Sequence, residues 1–277
     1  MESAALAGRQ AAWADPRTAT RPAAARRMVS RVGTFCLVEL QKLRHDRSEL
    51  VTRLIQPVLW LVVYGEVMTR TRMIATGGVP YRDFLAPGIM AQSALFVSIF
   101  YGIQIIWERD AGVLTKLMVT PTPRAALVTG KAFAAGIRAL AQAIAILLVS
   151  VLLGVRFTHD PLKIVGALVV VVLGAAFFCC LSVTIAGLVL KRDRLMGIGQ
   201  AIMMPLFFAS NALYPAAAMP GWLQAVSHVN PLSYEVSALR GLLLGSPTTL
   251  WLDFLVLVGT TVAGIGAASG LLGRLTR

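Results

Sequence analysis

Six separate apolar stretches, each about long enough to cross a bilayer, are strung along a chain of 277 residues. Such blocks read as membrane-spanning helices, because hydrocarbon offers backbone N–H and C=O groups no partner outside their own segment. They are Leu54–Met68, Phe84–Ile106, Ile137–Gly154, Ile164–Leu190, Leu195–Tyr214 and Trp251–Gly273. The first is the shortest and has Pro57 near its start. The fourth contains no charge and, at ~1.5 Å per residue, outruns a ~30 Å hydrocarbon core, so it must tilt or protrude. The expected fold is an all-α integral membrane protein with six transmembrane helices. A mean hydropathy of +0.72 and a charged content of 14%, against ~25% in soluble domains, exclude a soluble or single-pass chain.

The formal charge of +13 raises the question of nucleic acid, and the placement of the charges answers it. Ten Lys and Arg residues lie between Arg9 and Arg53, ahead of the first stretch. More follow the second (Arg109, Lys116, Arg124, Lys131), the fourth (Lys191, Arg192, Arg194) and the sixth (Arg274, Arg277). The alternate loops are poorer in basic residues. This is the positive-inside bias, and it predicts two cytoplasmic termini in a plasma (inner) membrane and no nucleic-acid partner. The excess charge also attracts anionic lipid. Cys36, Cys179 and Cys180 make no disulfide framework, and His45, His159 and His228 have no metal-ligand spacing.

Residues 1–30 are rich in Ala, Arg and Pro without periodicity, which predicts a disordered cytoplasmic arm. They lack the apolar core of a signal peptide, so no cleavage is expected. Residues 31–277 form the membrane domain. From Val32, the apolar residues Cys36, Leu40, Leu43, Leu50 and Leu54 recur on one helical face, with Lys42, Arg44 and Arg53 largely off it and Arg47 interrupting it. A basic amphipathic helix leading into a span is expected to lie in the interfacial plane. Breakers cluster between the fifth and sixth stretches, at Tyr214-Pro215, Pro220-Gly221 and Asn230-Pro231. They bracket a short Trp222–Val226 piece and a helix over Pro231–Leu244, with Asn230 as its cap and Pro231 in its first turn. That helix is too short to span, so it dips into the outer leaflet or lies on it. No internal repeat is visible.

The chain has no phosphate-binding loop: Gly130-Lys131 is followed by Ala132, without the upstream glycine. Any ATP-driven work therefore needs another polypeptide. Ionisable residues within the stretches are few, chiefly Glu66, Asp253 and Arg138. Arg138 follows Arg124 and Lys131 at seven-residue steps, which suggests a basic face snorkelling toward the inner interface. This scarcity argues against the alternative of an ion- or proton-coupled secondary transporter. A membrane-embedded enzyme would need His, Asp or Ser clustered at one depth, and no such cluster stands out.

The densest polar group is Glu108-Arg109-Asp110-Ala111-Gly112, continuing through Leu114 and Lys116 to Leu117. It reads equally as an ordinary charged helix end, with Glu108 and Asp110 paired to Arg109 and Lys116 and with Leu114 and Leu117 against lipid, or as a handle for a cytoplasmic motor. Here the pattern Glu108-Arg109-Asp110-x-Gly112-x-Leu114-x-x-Leu117, followed by Pro121 and Arg124, resembles the cytoplasmic-loop signature of ABC-2-type transporter permeases. The resemblance is to the daunorubicin-resistance-like branch. Phe84-Leu85-Ala86-Pro87-Gly88-Ile89 resembles that family's F-x-x-P-G segment. Asn230-Pro231-Leu232-Ser233-Tyr234, with Ala238-Leu239-Arg240-Gly241, resembles its N-P…A-L-R segment.

The resemblance, which runs from about Val29 to the C-terminus, implies a six-helix permease of the ABCG-like exporter type. It implies a dimer with a second permease copy or paralogue, worked by two copies of an ABC ATP-binding subunit that carry the ATP and Mg2+. Residues 107–121 would hold the coupling helix, and Val32–Arg53, with Lys42, Arg44 and Arg47, the connecting helix. Residues 215–245 would be the re-entrant segment, with Asn230, Pro231, Tyr234 and Arg240 beneath the exit. Lys116 departs from the family, which often has Glu there. The permease itself performs no covalent chemistry and needs no cofactor. An amphiphilic drug, lipid or glycolipid would enter between two permease copies, along a path lined by the second and fifth spans, with Phe96, Phe100 and Gln104 on one and Met203, Met204, Phe207, Phe208 and Asn211 on the other. Pro205 would bend the fifth span and serve gating.

Overall fold

The computed structural model of the chain describes residues 33, 41, 47–71, 78–112, 114 and 124–275. The regular elements among these residues are all helices, without strands. Helix α1 (Arg47–Leu59) continues without a break through a π-helical turn at Trp60–Tyr64 into α2 (Gly65–Thr71). There follow α3 (Tyr81–Asp110), α4 (Arg124–Leu152), α5 (Pro161–Val189), α6 (Arg192–Phe208), α7 (Gly221–Val229), α8 (Pro231–Leu244) and α9 (Leu250–Leu271). Single 3-10 turns at Ala216–Ala218 and Leu272–Arg274 complete the path.

Among the described residues four helices are long and apolar enough to cross a membrane: Tyr81–Asp110, Arg124–Leu152, Pro161–Val189 and Leu250–Arg274. The first and fifth expected spans differ from their prediction. The first carries the π turn after Pro57 and runs past Met68 to Thr71. The fifth, expected over Leu195–Tyr214, starts at Arg192 and stops at Phe208, 17 residues in all and ~26 Å long. After Pro205 the chain leaves the helix at Ala209, whose N–H closes on the Pro205 carbonyl at 2.8 Å.

Helix α5 sits at the centre and packs against α3, α4, α9 and α8. Its ends are set by local chemistry. Asp160 caps the start, accepting the Leu162 N–H at 3.0 Å with Pro161 in the first turn, and Leu190 at φ 57° ends it. Helix α3 is buried along most of its length because it is enclosed by neighbours. Gly102 allows that closeness: a β-carbon there would lie 2.5 Å from the Ser182 β-carbon and 2.8 Å from the Cys179 carbonyl oxygen. The Ser182 hydroxyl donates across the same contact to the Ile99 carbonyl at 2.8 Å.

Proline explains one polar contact inside the bundle. Pro57 has no N–H, so the carbonyl four residues earlier, on Arg53, loses its helical partner. Gln142 of α4 supplies the donor, its Nε2 reaching that carbonyl at 3.1 Å. Side chains from neighbouring helices commonly satisfy carbonyls freed in this way.

Candidate coupling surface and translocation path

At the Asp110 end of the bundle, charged side chains join four helices. Glu108 of α3 pairs with Lys131 of α4 at 2.6 Å, and the Lys131 side chain is only 9% exposed. Lys131 was not among the partners expected for Glu108, and the reason is geometric: α4 extends well below its apolar stretch and brings Lys131 alongside. Lys131 and Arg138 both lie over the Tyr101 ring, at 4.7 and 5.0 Å. They face α3, where a basic surface had been expected. Arg109 grips the adjacent Asp110 at 2.8 and 2.9 Å and donates to the Leu190 carbonyl, at the end of α5, at 3.0 Å. Arg192, in the first turn of α6, stacks on Trp107 at 4.7 Å. The chain turns at Gly112, whose φ of 71° favours glycine. Leu114 is buried in the core, not turned to lipid, which removes it from any outer contact. Lys116 and Leu117 lie outside the described residues, as do Lys42 and Arg44 of the expected connecting helix; Arg47 opens α1.

A second cluster holds α8 to the loop after α6. Asn230 serves two helices: its Oδ1 accepts the Leu232 N–H at 3.0 Å, capping α8, and its Nδ2 donates to the Leu206 carbonyl at 2.7 Å near the end of α6. Tyr234 donates to the His228 carbonyl at 2.7 Å. Arg240 is 7% exposed, yet its Nε reaches the Phe84 carbonyl at 3.2 Å and its Nη2 the Ala212 carbonyl at 3.0 Å. Its guanidinium also lies 3.5 Å from the Phe84 ring centroid. Pro87 has no N–H to offer the Asp83 carbonyl four residues earlier, and the carbonyl that Arg240 takes is the next one, on Phe84. At Gly88 a β-carbon would come within 2.5 Å of the Ala212 carbonyl oxygen, so α3 touches the loop backbone directly. The proline-glycine and Asn-Pro…Arg segments, 140 residues apart, thus meet at one place.

The residues expected along a path do not share one surface. Met204 and Phe208 are exposed on α6, whereas Met203 and Phe207 are 2% and 1% exposed and turn into the core, Phe207 against the Trp60 ring at 6.0 Å. Asn211 lies in the turn after α6. Beside Pro205, a groove of about 680 Å³ runs between α6 and α7, lined by apolar side chains such as Ile202, Leu206, Val226 and Val229. Phe96 and Phe100 of α3 face elsewhere, into a smaller cavity shared with α1 and α4. Gln104, one turn below, is half-buried.

Residues 32–244 match the family model of the ABC-2 type transporter. The chain belongs to that family. A daunorubicin resistance ABC transporter permease protein, DrrB1 of Streptomyces coeruleorubidus, is 24% identical over 82% of this chain and 79% of its own. The doxorubicin resistance permease DrrC of Mycobacterium tuberculosis is 28% identical over 75% of each chain. A protein named as a transport permease, ycf38 of Cyanophora paradoxa, is 30% identical over 72% of this chain and 69% of its own.

Three groups in this ABC-2 permease escaped the sequence reading. Lys131 was placed with Arg124 and Arg138 on a basic helix face, but its pairing with Glu108 was not foreseen. Gln142 and Gln92 drew no notice because amides do not interrupt a hydropathy block. Glu235 was passed over within the Asn-Pro…Arg segment; it is 0% exposed and neither carboxyl oxygen has a hydrogen-bond partner among the described residues.

Proposed function

We propose that this chain is the membrane subunit of an ATP-driven exporter that moves an amphiphilic drug, lipid or glycolipid out of the cytoplasm or inner leaflet. It crosses the membrane six times with both termini cytoplasmic, pairs with a second permease, and is worked by two copies of a separate ATP-binding subunit. The names of the resistance permeases to which it is similar support export. The observation that carries the reading is the Glu108–Gly112 cluster. Asp110 is exposed at the very end of α3, while Glu108 and Arg109 bind that end to α4 and α5. A push delivered there moves three helices together rather than bending one.

In this mechanism the partner ATPase holds the nucleotide and this chain supplies the lever. Closure of the ATPase pair displaces the Asp110 end, the bundle rotates as a unit, and the apolar groove beside Pro205 changes its exposure. Met204 and Phe208 offer the substrate a soft apolar wall, and α8 acts as a re-entrant element below the exit. The test is co-purification with the ATP-binding subunit. Asp110→Lys reverses the charge of an exposed side chain that pairs only locally, so folding is preserved and recovery of the ATPase is expected to drop at least tenfold. Unchanged assembly together with unchanged transport would remove the docking assignment.

A further inference from the structure

Between α1, α3 and α4 lies a cavity of about 250 Å³, roughly eight waters at liquid density. Its lining is unusual for this depth. Ser93 is twelve residues below Tyr81, ~18 Å along α3, and Gln142 is ten residues from Leu152, ~15 Å along α4. Both therefore lie well inside a ~30 Å hydrocarbon layer. There Gln56, Gln92, Ser93 and Gln142 converge with two phenyl rings, Phe96 and Phe100. Gln92 and Ser93 are each 3% exposed, and the Ser93 hydroxyl has no hydrogen-bond partner among the described residues. Uncompensated polar groups at such depth are unfavourable and commonly mark a site where something polar is bound.

The chemistry of the lining selects the guest. Among the described residues no carboxylate lines the cavity, and the one cation there, Arg53, has an interaction of its own. Amide and hydroxyl groups donate and accept without favouring either sign of charge. The Phe96 and Phe100 rings, one turn apart, give flat apolar faces to a ring-shaped body. Outside the cavity, exposed Ile55 and Leu59 on α1 and Ile144 and Leu148 on α4 present apolar surface along the same helices. We propose that this cavity binds the neutral, multiply hydroxylated or amide-bearing head of an amphiphile whose apolar tail lies along α1 and α4. It is an entry subsite apart from the groove at α6, and its transport role rests on the exporter reading given above.

The test uses the full chain in phosphatidylcholine nanodiscs and a photoreactive alkyl β-glucoside. Labelling is expected on the Gln92–Phe100 segment. Ser93→Ala removes a hydroxyl that has no partner among the described residues, so the protein stays folded and labelling falls about fivefold, the worth of one hydrogen bond. Ser93→Leu fills the space and abolishes labelling, as does Gln92→Leu. Alkyl phosphate and alkyl trimethylammonium probes of the same chain length label weakly. Labelling that persists in all three variants, or equal labelling by either charged probe, overturns the proposal. Stimulation of the partner ATPase by the glucoside is measured separately in the assembled complex. Loss of assembly with labelling intact defeats the exporter reading alone, and intact assembly with Ser93-independent labelling defeats this site alone.

Discussion

Arg240 and Glu235 lie five residues apart on α8, both almost wholly buried, and their surroundings are opposite. Arg240 donates to two backbone carbonyls, so its burial is compensated. Glu235 has no hydrogen-bond partner among the described residues; its carboxyl group fills the space left by the absent side chain of Gly174, where a β-carbon would collide with it. Removing one member of a compensated pair is costly, but replacing an uncompensated polar group by an apolar one of similar size is often neutral or stabilising. Glu235→Leu or Glu235→Gln is therefore expected to leave the melting temperature of the purified protein unchanged or raised. ATP-driven transport should also stay insensitive to a protonophore in both. A drop of several degrees in both variants would show that the carboxyl group has a partner in the working protein. Composition could not distinguish these two residues. Arg240 was picked out through the Asn-Pro…Arg pattern, whereas Glu235 has no pattern of its own, and only packing against Gly174 reveals its burial.

Helix ends depend on side-chain partners, and for that reason apolar blocks located the helices better than they bounded them. Helix α4 was expected from Ile137 but begins at Arg124. Lys131 and Arg138 are stabilised by Glu108 and the Tyr101 ring, so the helix continues through charge that a hydropathy window takes for a loop. Helix α6 failed the other way: Leu206-Phe207-Phe208-Ala209 is apolar, but Asn230 and Tyr214 take the Leu206 and Phe208 carbonyls and the helix stops. The Asn230 cap and the Pro231–Leu244 helix were legible because both rest on local chemistry. The Gln142–Arg53 contact was not, since it depends on which helix stands opposite Pro57. It makes a thermodynamic cycle. Gln142→Leu removes this donor from the Arg53 carbonyl and is expected to cost about 1–2 kcal/mol. Pro57→Ala restores a helical donor and should recover much of that loss in the double variant. Additive effects in thermal or denaturant unfolding would contradict the pairing.

Across the whole molecule, both ends are tied by cations held between helices. At the Asp110 end Lys131 pairs with Glu108 beside the Tyr101 ring; at the other end Arg240 takes two backbone carbonyls against the Phe84 ring, and Arg82 pairs with Glu66. The Glu108–Lys131 pair is half-exposed on the Glu side, so its net worth is small, but Lys131 alone would be a buried charge without its carboxylate. Glu108→Gln is accordingly expected to lower stability more than the double change Glu108→Gln with Lys131→Met. The comparison is made by fluorescence-monitored unfolding, and the reverse order would rule out the pair as the support of that end. Neither tie could be read from the chain alone, since each joins segments brought together only by the bundle.

Asn230 adds a constraint on motion. Because one amide group clasps the tail of α6 with one hand and the head of α8 with the other, neither can slide along its axis alone. Any widening at that level must carry the two as a single piece or let go of the clasp, which makes this side chain the natural latch between a closed and an open shape.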